Sequence, residues 1–166
     1  MRHIISVLVD NKPGVLARIA GLFSARGYNI ESLAVGKTEE GGPDAPGKSD
    51  RSRMTLVVNG DGRVIEQIRK QLDKLVDTCK VTDLSEVPLV ERDLVLVRVK
   101  IPPQRRGEVI ELVNVFRGRV VDVTERQMVL EVSGDEGKIS AFLRVLKPFG
   151  VSEMARTGRI ALRRGE

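Results

Sequence analysis

The chain has 166 residues, enough for one domain or two small ones, and 41% of them are hydrophobic. No apolar run approaches the roughly 18–20 residues that cross a bilayer as a helix, so no membrane span is expected. The net charge of +5 comes from 28 basic residues interleaved with 23 acidic ones, and aromatics are only 3%, so stacking platforms are scarce and no nucleic-acid partner is expected.

The opening Met1-Arg2-His3-Ile4 enters a strand pattern at once and has no small-residue cleavage site, which argues against a signal peptide and predicts a cytoplasmic chain. Ile4 to Val9 is short, apolar and rich in β-branched residues, and it stops at the turn formers Asp10-Asn11-Lys12-Pro13-Gly14. Beyond the turn, Val15, Leu16, Ile19, Leu22 and Phe23 recur at helical spacing, and Gly27 marks the helix end. Tyr28 to Val35 and Arg53 to Val58 read as two strands, joined by a Gly/Pro/Asp-rich loop from Glu39 to Asp50 that lacks both the spacing and the following helix of a phosphate cradle. Asp61 is a candidate N-cap for a helix with Val64, Ile65, Ile68, Leu72 and Leu75 on one face, and Lys80 to Leu84 supplies a last strand. The order strand, helix, strand, strand, helix, strand is that of a ferredoxin-like module.

A second round follows. Arg92 to Ile101 alternates as a strand and ends at Pro102-Pro103, and Val109, Leu112, Val113 and Phe116 mark a helix. Val120–Val123 and Met128–Val132 form a hairpin across Thr124-Glu125-Arg126-Gln127, Ile139 to Leu146 is a helix, and a final strand lies around Val151 to Ala155. The basic run Arg156, Arg159, Arg163, Arg164 reads as a solvated surface or a partner contact. The expected fold class is therefore α+β, two ferredoxin-like βαββαβ modules in tandem: 1–85, a linker at 86–91, and 92–166. The two share an order but little residue identity.

Catalysis finds no support. His3 is the only histidine and Cys79 the only cysteine, so histidine-based triads, disulfides and His/Cys metal sites fail on supply. The carboxylates are interleaved with lysine and arginine on helix faces, the ordinary pattern of solvated charge. The turn at Asn11 to Gly14 is different. Glycine lets backbone approach a ligand, the helix start presents unpaired N–H groups, and the Asn11 amide can donate to a carboxylate or accept from an ammonium. By turn chemistry alone the segment is an ordinary turn, and its spacing by itself does not make it a site.

The string from Asp10 to Ile19, ahead of a ferredoxin-like remainder, resembles the ligand turn of the ACT domain family of small-molecule sensors. Its continuation Ile19-Ala20-Gly21-Leu22-Phe23-Ser24-Ala25-Arg26-Gly27-Tyr28-Asn29-Ile30-Glu31-Ser32-Leu33 is similar to that of the regulatory small subunits of acetolactate synthase, or acetohydroxyacid synthase. Ser52-Arg53-Met54-Thr55, Phe116-Arg117-Gly118 and Val121-Asp122-Val123-Thr124 extend the likeness over nearly the whole chain. The resemblance implies a homodimer in which Asn11, Gly14, Val15 and Leu16 of one chain face Asn29 and Ile30 of the other, with valine or a related branched-chain amino acid between them. It implies a separate catalytic large subunit carrying thiamine diphosphate, magnesium and FAD, activated and feedback-inhibited through this chain, which itself has no catalytic site, metal or cofactor. The loop from Glu39 to Arg51 is longer than is typical of the family. The competing reading is a stand-alone ACT-type amino-acid sensor or transcriptional co-regulator, although no helix-turn-helix segment is present.

Overall fold

A computed structural model describes residues 1–38 and 50–165. The long loop expected from Glu39 falls almost entirely outside the described residues. The chain divides into two compact units, Met1–Val90 with Arg159–Glu166, and Glu91–Gly158.

In the first unit, β1 (Arg2–Asp10), α1 (Val15–Ala25), β2 (Ile30–Thr38), β3 (Arg51–Asn59), α2 (Gly62–Asp73) and β4 (Thr78–Asp83) follow in the expected order. The strands form an antiparallel sheet in the order β2-β3-β1-β4, so β2 is an edge. The alternation of β1 places Ile5, Val7 and Val9 against Val15, Ile19 and Phe23 of α1 and Ile65, Ile68 and Leu72 of α2. Each such side chain contributes about 1.5–3 kcal/mol by leaving water. Asp61 does cap α2, accepting from the Val64 N–H at 2.9 Å. Gly27, at φ 66°, ends α1 in the left-handed conformation that glycine adopts without steric cost.

Leu16 departs from the expected apolar face of α1, being 43% exposed. The buried stripe is Val15, Ile19 and Phe23, four residues apart, and Leu16 is rotated about 100° from Val15 around the helix.

The opposite face of this sheet is covered as well. Ile4, Val57 and Leu84 pack with Ala161, which lies on a strand the sequence pattern did not reveal, β9 (Ile160–Arg163). β9 pairs with β5 (Leu89–Lys100), whose first residues belong to this unit, and the Arg164 N–H donates to the Pro88 carbonyl at 2.8 Å. The Arg159 N–H donates to Ser32 Oγ at 3.0 Å, and Arg159 is only 8% exposed. From Arg159 onward the chain clusters with the first unit, where burying Ala161 removes apolar sheet surface from water. One expectation is corrected here. The basic run is not uniformly solvated, since Arg159 is buried and Arg156 is held by Asp93.

The second unit contains the remainder of β5, a 3-10 turn at Pro103–Arg105, α3 (Arg106–Val115), β6 (Arg119–Val123), β7 (Gln127–Gly134), α4 (Glu136–Leu146), a second 3-10 turn at Lys147–Phe149 and β8 (Val151–Arg156). Its strand order, β6-β7-β5-β8, repeats that of the first unit. Val95, Val97, Val99, Met128, Leu130 and Val132 of the sheet pack on Val109 and Val113 of α3 and Ile139, Phe142 and Leu146 of α4. Asp135 caps α4, accepting from the Lys138 N–H at 2.8 Å. The architecture is the expected tandem of ferredoxin-like α+β modules.

Candidate functional site

The turn after β1 is held from three sides. Asp10 pairs with Arg51 across the sheet and its N–H donates to the Asp77 carbonyl at 2.9 Å. The Asn11 N–H donates to the Asp50 carbonyl at 2.8 Å, and the Asn11 side-chain Nδ2 donates to Asp50 Oδ2 at 2.9 Å. Ser52 Oγ donates to Asn11 Oδ1 at 3.1 Å. The amide is thus clamped in one orientation, with one N–H and one lone pair still available to a ligand.

Each carboxylate around the turn has a cation. Lys12 Nζ lies 2.6 Å from Asp10, Arg18 2.5 Å from Asp77, and Lys37 2.9 Å from Asp50. The hydrogen bond from Lys12 holds the Asp10 carboxyl below the usual aspartate range, and the same bond raises Lys12. Lys37, and then Asn11, do the same for Asp50. Cys79, whose thiol lies 3.6 Å from Asp10 Oδ1, is pushed up, first by burial and then by that contact. A thiol so placed is a poor nucleophile.

Gly14 is the N-cap of α1 at φ 83°, with no side-chain hydrogen bond to the helix start and no acidic residue in the first turn. α2 and α4 have aspartate caps; α1 leaves that position to glycine. The Val15 N–H reaches only the Lys12 carbonyl, at 3.4 Å, and the first N–H groups of α1 have no side-chain acceptor, which suits a ligand carboxylate. Val15 is 4% exposed and belongs to the core, so its backbone and not its side chain is presented, whereas Leu16 stands open beside it.

The other two expected residues lie elsewhere in the same chain. Ile30 is half-buried at the start of β2 and Asn29 precedes it, exposed. Ile30 pairs with Val58 and Val58 with His3, whereas Asp10 pairs with Arg51 and Arg51 with Thr38. The turn and the Asn29-Ile30 segment thus sit at opposite ends of the sheet, about seven residues or roughly 23 Å apart along the strands. One chain does not bring them together. Asp50 and Ser52, which hold Asn11, and Lys37, which pairs with Asp50, were not singled out from sequence, although Ser52 stands in one of the strings that carried the resemblance.

Comparison with known proteins bears on the same segments. The family model for the acetohydroxyacid synthase (AHAS) small subunit-like ACT domain matches residues 5–80, and that for the small subunit of acetolactate synthase matches residues 92–165. The chain is 54% identical over 165 residues to the probable acetolactate synthase small subunit of Archaeoglobus fulgidus, covering 99% of this chain and 98% of that one. It is 54% identical over 164 residues to the acetolactate synthase small subunit of Aquifex aeolicus, covering 98% and 81%. The chain belongs to the acetolactate synthase small subunit family. Its fold agrees with the crystal structure of the acetolactate synthase small subunit from Thermotoga maritima, with a TM-score of 0.87 and 39% identity over 100% of this chain and 99% of that one. Within this small-subunit chain the ACT domain carries the turn, and the C-terminal family segment runs on through β9 into the first structural unit. Among the described residues, no group of three or more His, Cys, Asp or Glu is arranged to hold a metal ion, and no helix is long and apolar enough to cross a membrane.

Proposed function

We propose that this chain is the regulatory subunit of a cytoplasmic acetolactate synthase. It raises the activity of a catalytic large subunit and confers feedback inhibition by valine or a related branched-chain amino acid. The large subunit carries thiamine diphosphate, magnesium and FAD and performs the chemistry; this chain supplies the effector site. Membership in the small-subunit family supports the partnership.

The observation that carries the effector reading is the separation of the two half-sites along the sheet, together with the edge position of β2. A two-fold axis pairing β2 with β2 of a second copy in antiparallel fashion brings Ile30 of that copy level with Thr38, the level at which the Asn11 turn begins. The amino acid's carboxylate then meets the uncapped N–H groups after Gly14, its ammonium meets the free lone pair of Asn11, and its branched side chain lies between Leu16 and Ile30 of the second copy. Asn29 of that copy adds a second amide. Ligand binding and dimerisation become one linked equilibrium.

Regulation follows if the two states of the synthase bind the amino acid unequally. A coupling of about 1–3 kcal/mol changes the partner's equilibrium roughly 5- to 150-fold. The test is the turnover of the purified large subunit, alone and with this chain, across rising valine, leucine and isoleucine. Faster turnover and an effector response only in the presence of the chain are expected. The same rate and the same response with and without it overturn the proposal.

A further inference from the structure

The second unit repeats the order of the first, with an offset of ninety residues from its first strand to the start of its second, Leu8 to Arg98 and Ile30 to Val120. The register shift between Leu8 and Val9 returns between Arg98 and Val99, and the one between Ile30 and Ser32 returns between Val120 and Asp122. The left-handed residue that ends α1, Gly27, returns as Arg117 at φ 52°. The hydrogen bonds that frame the Asn11 turn return too. Asn11 N–H to the Asp50 carbonyl, 2.8 Å, has its counterpart in Ile101 N–H to the Arg126 carbonyl, 3.1 Å. Asp10 N–H to the Asp77 carbonyl, 2.9 Å, has its counterpart in Lys100 N–H to the Gly150 carbonyl, 2.9 Å.

At this equivalent turn the charge is inverted. Asp10 and Asp50 are replaced by Lys100 and Arg126, and the exposed Leu16 by Arg106. These three cations line one open groove of ≈ 960 Å³, with Ile101, Pro102 and Pro103 as an apolar wall and Glu125 as the one carboxylate. Among the described residues, none of the three cations is held in an ion pair. Arg106 donates one terminal N–H to the Thr124 carbonyl, which fixes the guanidinium, while its Nε is shielded from water and has no described partner. The neighbouring Arg105 is committed elsewhere, to Glu108 at 2.9 Å and over the Phe149 ring at 5.0 Å.

We propose that this groove is a second ligand site, distinct from the amino-acid turn, for a small dianion bearing phosphate or carboxylate groups. Arg106 is the specific contact, a fork suited to two oxyanion oxygens, and Lys100 and Arg126 supply charge. The short apolar wall admits a small carbon skeleton beside the anionic groups.

The test is titration of the full chain with inorganic phosphate in one arm and succinate in the other, followed by the Arg106 Nε–H resonance and the backbone amides of 100–107 and 125–127. A saturable shift of these signals with either anion is expected, and the arm that saturates identifies the anionic group. Arg106→Gln should weaken binding about tenfold or more. Arg126→Gln, on an exposed loop where folding is not at stake, should weaken it as well, while Arg119→Gln on β6 and Asn11→Ala leave it unchanged. Absence of a saturable shift with both anions, or equal weakening by Arg119→Gln and Arg106→Gln, overturns the proposal. Neither result bears on the amino-acid site.

Discussion

Asn11 and Asp50 hold each other twice, backbone N–H to carbonyl at 2.8 Å and side-chain amide to carboxylate at 2.9 Å. The Asp50 carboxyl lies below its ordinary range because Lys37, and then Asn11, stabilise its charged form. A carboxylate with a depressed folded pKa contributes its stabilisation fully above the unfolded value and loses it as pH falls through the lowered folded value. The Asn11 amide resonances are therefore expected to stay constant at neutral pH and to change only below about pH 4, the ordinary carboxylate range. Movement of these signals between about pH 6 and 8 would contradict the assignment.

Gly14 separates backbone demands from ligand demands. Its φ of 83° is a conformation that side-chain-bearing residues adopt at a cost, and a Cβ there would meet only the tip of Arg18 at 3.4 Å. Gly14→Ala should destabilise the chain by about 1–2 kcal/mol. Gly14→Asp adds a negative charge at the position proposed for the effector carboxylate, and calorimetry with valine should register binding for Gly14→Ala and none for Gly14→Asp.

Two further glycines are expected to respond with opposite signs. A Cβ on Gly118 would lie 2.7 Å from the backbone oxygen of Glu131, an atom that cannot swing aside. Gly118→Ala should cost about 1–3 kcal/mol in thermal or urea unfolding. Gly21, exposed within α1, has nothing within 4 Å of the added carbon, and Gly21→Ala should stabilise by about 0.5–1 kcal/mol.

The ion pairs of the second unit differ by burial. Asp93 is 4% exposed and accepts from Arg156 Nε at 2.9 Å, from the Arg156 terminal nitrogen, and from Thr157 Oγ1 at 3.2 Å. Arg98 and Glu153, 3.1 Å apart, are both open to solvent. Arg156→Ala strands a buried carboxylate and should cost about 3 kcal/mol, the lower end for a broken buried pair because the arginine side chain retains 35% exposure. Glu153→Ala should stay within about 1 kcal/mol. Comparable unfolding midpoints for the two variants would refute this ranking.

What could be read in advance follows from where each signal resides. The apolar β-branched run Ile4–Val9, the alternation in Val95–Ile101, and the helical spacing in Ile65–Leu72 and Ile139–Leu146 are local patterns, so the order of both modules was legible. β9 was not, because Ile160-Ala161-Leu162-Arg163 reads as a basic tail until Ile4, Val57 and Leu84 are seen to need a cover. Leu16 looked like core because helical spacing cannot say which side of a stripe packs. The turn at Asn11 was legible as a candidate, but its clamp of Asp50 and Ser52 arrives from about forty residues downstream and only the strand register brings it there.

The central claim, an effector site completed by a second copy, is tested most directly by mixing variants. The valine response of the reconstituted synthase is measured with Asn11→Ala, with Asn29→Ala, and with the two chains refolded together in equal amounts. Each variant alone should lose the response. In the mixture, chance pairing makes about half the dimers hybrids, each with one intact site, so about a quarter of the sites and a partial response should return. A mixture as unresponsive as either variant alone would contradict a shared site.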